Sequence, residues 1–190
     1  METKNSYSAK HFYIILIPHR DALKPLAAYR EKLFAAGLYG AHAFPRAAPL
    51  ARVSRPLSKE ELKGLAAVIR GLTRENDGKI TGGRPSVVHD DSAFSFFGST
   101  LNLPADEGIF PRGARLTILK SFLPPVLCAA LVGPGAILKT PVPEETQPVS
   151  FRAAALANLI VRPLAIGDAD YSISWETGPP VWLPAARKDT

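Results

Sequence analysis

The segment from Ser58 to Leu72 constrains the fold of this chain more than any other stretch. It begins with Ser-Lys-Glu-Glu, a capping box in which Ser58 can accept from the Glu61 amide while the Glu61 side chain reaches back. Apolar residues then recur at helical spacing, at Leu62, Leu65, Ala66, Ile69 and Leu72. The sequence therefore predicts an amphipathic helix from Ser58 with one apolar face to bury.

Two further helices are predicted. One follows Asp21, which can cap it, and ends near Gly37 and Gly40, because glycine tolerates the left-handed conformation that follows helix C-termini. The other, "SFRAAALANLIVRPL", would begin at Ser150 as its N-cap and stop at Pro163. Its inner face would consist of Ala155, Leu156, Leu159 and Ile160.

Strands are predicted for most of the remaining apolar segments. The segments are "HFYIILIP", "LARVSR", "SVVHDDSAFSFFGSTLNL" as one or two strands, "ARLTILKSF" and "PPVLCAALV". The chain would close with a hairpin, "YSISW" and "VWLP", around a turn at residues 176–180. Because helices are few and strands cluster, we expect an α+β fold with mixed or antiparallel sheets flanked by three main helices.

The composition favours a single domain over residues 11–190, preceded by a flexible tail at residues 1–10. The 190 residues are 46% hydrophobic and 21% charged, which is enough for a core. No apolar run is long enough for a membrane span, so we expect no membrane partner. The single cysteine, Cys128, excludes an internal disulfide and suits a cytoplasmic location.

The formal net charge of +6 favours an anionic partner such as a nucleotide, RNA or an acidic surface. The chain has no glycine-rich phosphate loop, no G-x-S-x-G elbow and no DNA-specific motif. Its four histidines have no metal-ligand spacing, so we expect neither a metal nor a cofactor.

Arg46, Arg52 and Arg55 lie within one loop-strand segment. On a strand, Arg52 and Ser54 share one face and Arg55 takes the other. A forked guanidinium beside a hydroxyl suits phosphate binding, with Arg55 or Arg46 adding charge that attracts the ligand. The alternative is the exposed face of an edge strand, where arginine also prevents aggregation.

Weaker candidates for chemistry lie elsewhere in the chain. His42 lies in a loop, and His89 precedes two aspartates, Asp90 and Asp91, that could hold it as a general base. The alternative for each is a solvated or hydrogen-bonded loop histidine. Cys128 lies in an apolar run and is interpreted as a buried, inert thiol.

Trp175 and Trp182 flank the predicted terminal hairpin. Either ring could stack a nucleotide base, as aromatic faces do in single-strand binding. The alternative is that both rings cover the core.

The order of elements over residues 11–75 resembles the first half of the 2H phosphoesterase superfamily, which includes the bacterial RNA 2′,3′-cyclic phosphodiesterases, also called 2′-5′ RNA ligases. "HFYIILIP", the helix from Asp21, "FPRAAPL", "ARVSR" and the helix from Ser58 follow that family's order. The resemblance implies that a second half repeats the scheme. It would give two lobes, about residues 11–90 and 91–184, with a cleft between them.

In this resemblance the first motif's histidine and threonine fall on Arg52 and Ser54, or in a shifted register on Pro49 and Ala51. No histidine follows His89; "SISW", "PVWL" and "PPVL" are candidate remnants of the second motif. The family uses one histidine as base and the other as acid, and arginine cannot exchange a proton near neutral pH. The resemblance therefore implies a degenerate, non-catalytic member that binds a nucleotide, RNA end or other phosphorylated ligand.

Two other functions stay open. One is an active phosphodiesterase or other hydrolase with rearranged residues, using His89 with Asp90 or Asp91, or using His42. The other is a protein-interaction module without a ligand, which the proline-rich segment 134–148 and the aromatic strands would support. Whether the protein is an enzyme is not decided by the sequence.

Overall fold

The computed structural model of the chain describes residues 9–74, 82–89, 95–102, 119–123, 126–132, 149–163 and 171–183. Within these ranges the chain forms two α-helices, a short 3₁₀ segment at Tyr39–His42 and nine strands. The helices are α1 (Arg20–Ala35) and α2 (Lys59–Arg74). The strands are β1 (Ala9–Pro18), β2 (Ala48–Val53), β3 (Gly82–His89), β4 (Ser95–Leu101), β5 (Leu119–Phe122), β6 (Val126–Val132), β7 (Phe151–Pro163), β8 (Tyr171–Thr177) and β9 (Val181–Trp182). The predicted α+β class is confirmed.

The strands form a large and a small antiparallel sheet. The large sheet has the order β5-β2-β1-β7-β8, with β9 also paired to β7, and the small sheet has the order β3-β4-β6. The Leu123 amide donates to the Leu50 carbonyl at 3.0 Å, and the Cys128 amide donates to the Ala47 carbonyl at 3.1 Å. The Cys128 bond joins β6 of the small sheet to the residue that precedes β2 of the large sheet, so it links the two sheets.

The predicted helix over residues 150–164 is wrong, because residues 151–163 form β7. This strand pairs with β1 along one side and with β8 and β9 along the other. Alanine and leucine favour helix locally, but a strand that is buried on both faces also reads as a continuous apolar run. Pairing along both edges decides the outcome, so two of the three expected main helices are present.

The predicted terminal hairpin is also wrong. Thr177 of β8 stands opposite Ala157, and Val181 of β9 stands opposite Ala154, so both strands run in the same direction along β7. The Gly-Pro-Pro sequence at residues 178–180 interrupts this edge strand instead of reversing it. Proline has no amide hydrogen and cannot extend the ladder, which explains the interruption.

The first helix has the predicted position but a different start. Its N-cap is His19, which makes no side-chain capping bond, and Asp21 lies in the first turn. A carboxylate there still interacts favourably with the helix dipole. Gly37 follows the helix with a φ of 89°, and this left-handed conformation confirms its predicted role in ending α1.

The two faces of the large sheet bury different sets of residues. Ile14 and Ala154 lie on one face, where they share a core with apolar residues of both helices, Leu26, Leu33, Leu62 and Leu65. The other face carries Tyr13, Ile15 and Ala155, which pack with Phe44, Phe96 and Leu159. We call this second side the Tyr13 face. It is the side on which the candidate residue Arg52 stands.

Several sequence-based predictions fall outside the described residues: residues 1–8 of the tail, Asp90 and Asp91, and the segment 134–148. The division into two lobes stays a prediction. No helix in the part of the chain that the structure describes is long and apolar enough to cross a membrane.

Candidate functional site

The structure places Arg52 within the sheet and not at its edge. Arg52 of β2 stands opposite Tyr13 of β1 on one side and opposite Ser121 of β5 on the other. Residues that stand directly opposite share a face, so the half-buried Arg52 side chain belongs to the Tyr13 face. The edge-strand alternative is therefore wrong, because β2 is paired on both sides.

Ser54 directly follows β2 and is exposed. It is two positions after Arg52, in the bend that ends the strand. The spacing of the predicted pair is thus compatible with one shared ligand.

The sequence analysis missed His11 as a neighbour of this pair. His11 and Tyr13 are two residues apart on β1 and share a face. The last pair between β1 and β2 joins Phe12 and Val53, so His11 lies one position beyond the paired part of these strands and diagonally from Arg52. Alternation within "HFYIILIP" could have given the face of His11, but the register with β2 is a property of the tertiary structure.

Two rows of paired residues on the Tyr13 face define the candidate site. The outer row runs through His11, Leu159 and Trp175, and the inner row through Ser121, Arg52, Tyr13, Ala157 and Thr177. Neither row contains a carboxylate. The guanidinium of Arg52 and the imidazole of His11 can both donate hydrogen bonds to a tetrahedral oxyanion.

Arg55 reinforces the N-terminal cap of α2 through its ion pair with Glu61. Its guanidinium forms two hydrogen bonds with the Glu61 carboxylate, at 2.8 and 3.1 Å, and a third with the Pro56 carbonyl at 2.9 Å. Glu61 also accepts from the Ser58 amide at 2.7 Å, and the Glu61 amide donates to Ser58 Oγ at 3.2 Å, which confirms the predicted capping box. The hydrogen bonds from Arg55, and next those from the Ser58 amide, lower the pKa of Glu61 to about 2.

Two other predicted contributors lie away from Arg52. Arg46 is exposed and precedes the start of β2. Trp182 is 60% exposed and stands opposite Ala153, four positions along β7 from Ala157. That separation is about 13 Å along the strand, and three strand spacings of about 4.8 Å also separate β9 from β2. The structure therefore does not bring Trp182 beside Arg52.

The two tryptophans have different surroundings. Trp175 Nε1 donates to the Ala43 carbonyl, and its ring packs edge-on against Phe44 with centroids 4.2 Å apart. This agrees with the core-covering alternative for Trp175. The guanidinium carbon of Arg152 lies 5.6 Å from the Trp182 ring centroid, a cation–π distance that leaves much of the ring exposed.

The weakly predicted catalytic histidines also lie outside the two rows. His89 Nδ1 is 2.9 Å from Ser95 Oγ, across the β3–β4 pair, and Ser95 is buried. His42 Nε2 is 3.6 Å from Glu31 Oε1, and its ring centroid is 5.0 Å from that of Phe34. Each contact agrees with a hydrogen-bonded or ion-paired surface histidine.

Arg30 is a buried cation that the sequence analysis did not single out. It is 3% exposed, and its guanidinium donates to the carbonyls of Phe44, Pro45 and Cys128 at 2.7, 2.9 and 2.8 Å. Its spacing from Leu26 and Leu33 puts it on the inner face of α1, which is the signal that could have revealed it. It acts as a structural cross-link between three segments.

Cys128 is fully buried, as predicted, and burial raises the pKa of its thiol to about 12. Since the thiolate is the reactive form, this side chain is inert in the folded protein. In the described ranges, no group of three or more His, Cys, Asp and Glu side chains could hold a metal ion.

Comparison of the chain with protein-family models, with curated proteins and with solved structures found no match in any of the three.

Proposed function

We propose that this protein binds a phosphorylated ligand, such as a nucleotide or an RNA end, on the Tyr13 face without turning it over. The observation that carries the proposal is the position of Arg52. It belongs to a strand that is paired on both sides, and the exposed Ser54 follows two positions later in the bend after the strand. A strand held along both edges fixes the backbone and the Cα–Cβ direction of Arg52, so no backbone entropy at this position is lost when an anion binds.

Charge and chemistry agree with this proposal. The net charge of +6 favours encounter with anions. Acid–base cleavage of a cyclic phosphate needs one proton donor and one acceptor. The two rows contain one histidine, His11, whereas the family's reaction uses two, so binding without turnover is the function that these residues support best.

The resemblance to the 2H phosphoesterases gives the proposal a chemical class to test. In that comparison Arg52 and Ser54 occupy the positions of the first histidine and threonine. A phosphate-binding role would mean that this protein binds the same class of ligand as the family but does not carry out the family's acid–base reaction.

The test is binding of a fluorescent oligonucleotide that ends in a 2′,3′-cyclic phosphate, at about 50 mM and about 200 mM salt, with product analysed in the same sample. Arg52→Ala should weaken binding roughly tenfold or more, because a hydrogen-bonded charge is lost. Arg20→Ala removes the same charge from an exposed position beyond the far end of β1 and should leave affinity close to wild type.

Each contrary result has a distinct meaning. Turnover of the oligonucleotide would show that the protein is an enzyme. Equal affinities for Arg52→Ala and Arg20→Ala would show that Arg52 does not contact the ligand. Absence of binding even at low salt would overturn the proposal and favour a protein-interaction module.

A further inference from the structure

We infer that a cluster of aromatic rings and a carboxylate at the C-terminal end of α1 forms a second ligand site, which binds an alkylated ammonium cation. We call it the Phe34 cluster, and it consists of Glu31, Phe34, Tyr39 and His42. None of its members belongs to the two rows around Arg52, so the inference does not depend on the proposed phosphate site. The overall charge does not indicate it either, because a net charge of +6 favours anions.

Two helical spacings bring the members of the Phe34 cluster together. Glu31 and Phe34 are three positions apart on α1, so they are neighbours on its surface. Tyr39 and His42 are three positions apart in the 3₁₀ segment, where three residues complete a turn, so their side chains lie on the same side. Gly37, with its left-handed φ of 89°, lets the chain change direction between the two segments.

Contacts between the two segments hold the four side chains in one group. The Phe34 ring centroid lies 5.4 Å from that of Tyr39 and 5.0 Å from that of His42. The ring planes of Phe34 and Tyr39 are inclined at 76°, so these two rings meet nearly at right angles. His42 Nε2 lies 3.6 Å from Glu31 Oε1, which places the carboxylate beside the rings.

The rings of the Phe34 cluster are accessible although they contact one another. Tyr39 is 73% exposed and Phe34 is 42% exposed. Within the residues that the structure describes, no arginine or lysine lies over either ring, whereas the guanidinium of Arg152 lies over the exposed ring of Trp182. The π faces of the Phe34 cluster are therefore open to a cation from outside the chain.

The chemistry of the Phe34 cluster favours a cation with an apolar surface. The π face of a ring attracts a positive charge within about 6 Å of its centroid, and the Glu31 carboxylate adds a formal negative charge. Lys32 in the same turn offsets the helix dipole, so the rings and Glu31 carry the attraction. An unsubstituted ammonium is strongly hydrated, whereas alkyl groups on the nitrogen reduce hydration and pack against aromatic rings.

The experiment is an NMR titration of the protein with tetramethylammonium chloride at constant ionic strength. It is made at about pH 8, where an ordinary imidazole is neutral and does not compete for a carboxylate. We expect the ring resonances of Phe34 and Tyr39 to shift saturably, with a Kd on the order of 1–10 mM for so exposed a site. Neopentyl alcohol has a similar shape and size without the charge, and it should bind at least fivefold more weakly, by about the cation–π contribution.

Variants test the ring and the carboxylate separately. Tyr39→Ala should weaken tetramethylammonium binding about fivefold, whereas Tyr39→Phe keeps the ring and should bind like wild type. Glu31→Gln should weaken binding about threefold, because the site loses its formal charge. Trp182→Ala and Glu60→Gln are the matched controls, since they remove an exposed ring and an exposed carboxylate outside the cluster, and both should retain wild-type affinity. Thermal unfolding midpoints establish that each variant is folded.

Two further probes identify the source of the cation. Choline carries the alkylated ammonium group on a small molecule, and a short glycine-rich peptide with one trimethyllysine carries it on a protein chain. Tyr39→Ala should weaken the binding of whichever probe binds. Tighter binding of choline would support a small-molecule ligand, and tighter binding of the peptide would support a modified protein side chain.

Three results would overturn the inference. Equal affinities for tetramethylammonium and neopentyl alcohol would show that the cluster is an apolar patch without preference for charge. Absence of saturable shifts up to about 100 mM tetramethylammonium would show that no site exists. Equal affinities for Tyr39→Ala and Trp182→Ala would show that the cation does not contact the cluster. None of these results concerns the phosphate site, which Arg52→Ala tests with an anionic probe.

Discussion

Arg30 shows how one residue can connect distant parts of the chain. Its guanidinium joins α1 to the loop before β2, through the Phe44 and Pro45 carbonyls, and to β6 through Cys128. Burial is the main influence on the pKa of Arg30 and lowers it, but arginine keeps its charge in proteins. The carbonyl oxygens take the place of a carboxylate partner as acceptors for this charge.

We expect Arg30→Met to lower the free energy of unfolding by about 3 kcal/mol, because it leaves buried carbonyl groups without their donors. Urea denaturation monitored by tryptophan fluorescence would measure the loss. Lys32→Met, on the exposed side of the same helix, is the control and should change stability by less than about 0.5 kcal/mol. Equal effects of the two variants would contradict the cross-linking role.

At the scale of the element, α2 is the segment whose sequence and structure agree most closely. The reciprocal bonds of Ser58 and Glu61 form as the sequence predicts, and Leu62 and Leu65 are buried on the inner face. Capping and periodicity depend on residues three or four positions apart, so they can be assessed without knowing the tertiary structure. The ion pair with Arg55 adds to the cap.

The ion pair predicts how the stability of the protein changes with pH. The pKa of Glu61 is lowered from 4.5 to about 2, mainly by Arg55 and next by the Ser58 amide. A depressed pKa in the folded state means that the carboxylate stabilises the fold above pH 4.5 and that this contribution disappears as the pH falls towards 2.

Glu61→Gln should therefore lower the thermal unfolding midpoint at neutral pH, and its difference from wild type should shrink as the pH falls below about 4.5. Glu60→Gln removes the same charge from the same helix turn without breaking the Arg55 pair. Comparison of the two variants therefore separates the effect of the ion pair on stability from the effect of the helix dipole. A Glu61→Gln difference that stays constant between neutral pH and about pH 3 would argue against the ion pair.

β7 shows the opposite relation between local sequence and structure. Its alanines and leucines favour helix, yet 13 residues are extended because β1 and the β8–β9 edge pair with them. Ala153, Ala154 and Ala155 are all fully buried, which covers both faces of the strand. Small side chains allow close packing on each face of the strand. The spacing of apolar residues in the local sequence does not show that such packing is required.

At the scale of the whole molecule, the 3₁₀ segment packs against the end of β6. A Cβ added at Gly40 would overlap the backbone carbonyl of Leu131, so the two segments meet at a position where a side chain does not fit. Arg30 connects α1 to the same strand through Cys128. The small sheet is thus held to the N-terminal region by close backbone contact as well as by hydrogen bonds.

Gly40→Ala should lower the free energy of unfolding by about 2 kcal/mol, because backbone atoms must move to admit a methyl group. Gly64→Ala is the matched control: nothing lies within 4 Å of its added Cβ, and it is inside α2. That change should stabilise the protein by about 0.5–1 kcal/mol, since alanine favours helix. Chemical denaturation of the two variants should give opposite signs, and the same sign for both would refute the packing argument.

The sequence by itself determined the α+β class, both helices, the end of α1 at Gly37, the capping box and the buried state of Cys128. Each depends on short-range spacing or on the apolar character of a run. Tertiary structure decided the fate of residues 151–163 and of the terminal Gly-Pro-Pro segment, because strand pairing satisfies backbone groups over distances that no local pattern records. It also decided the surroundings of Arg52, because only the β1–β2 register sets this residue opposite Tyr13, two positions from His11 on β1.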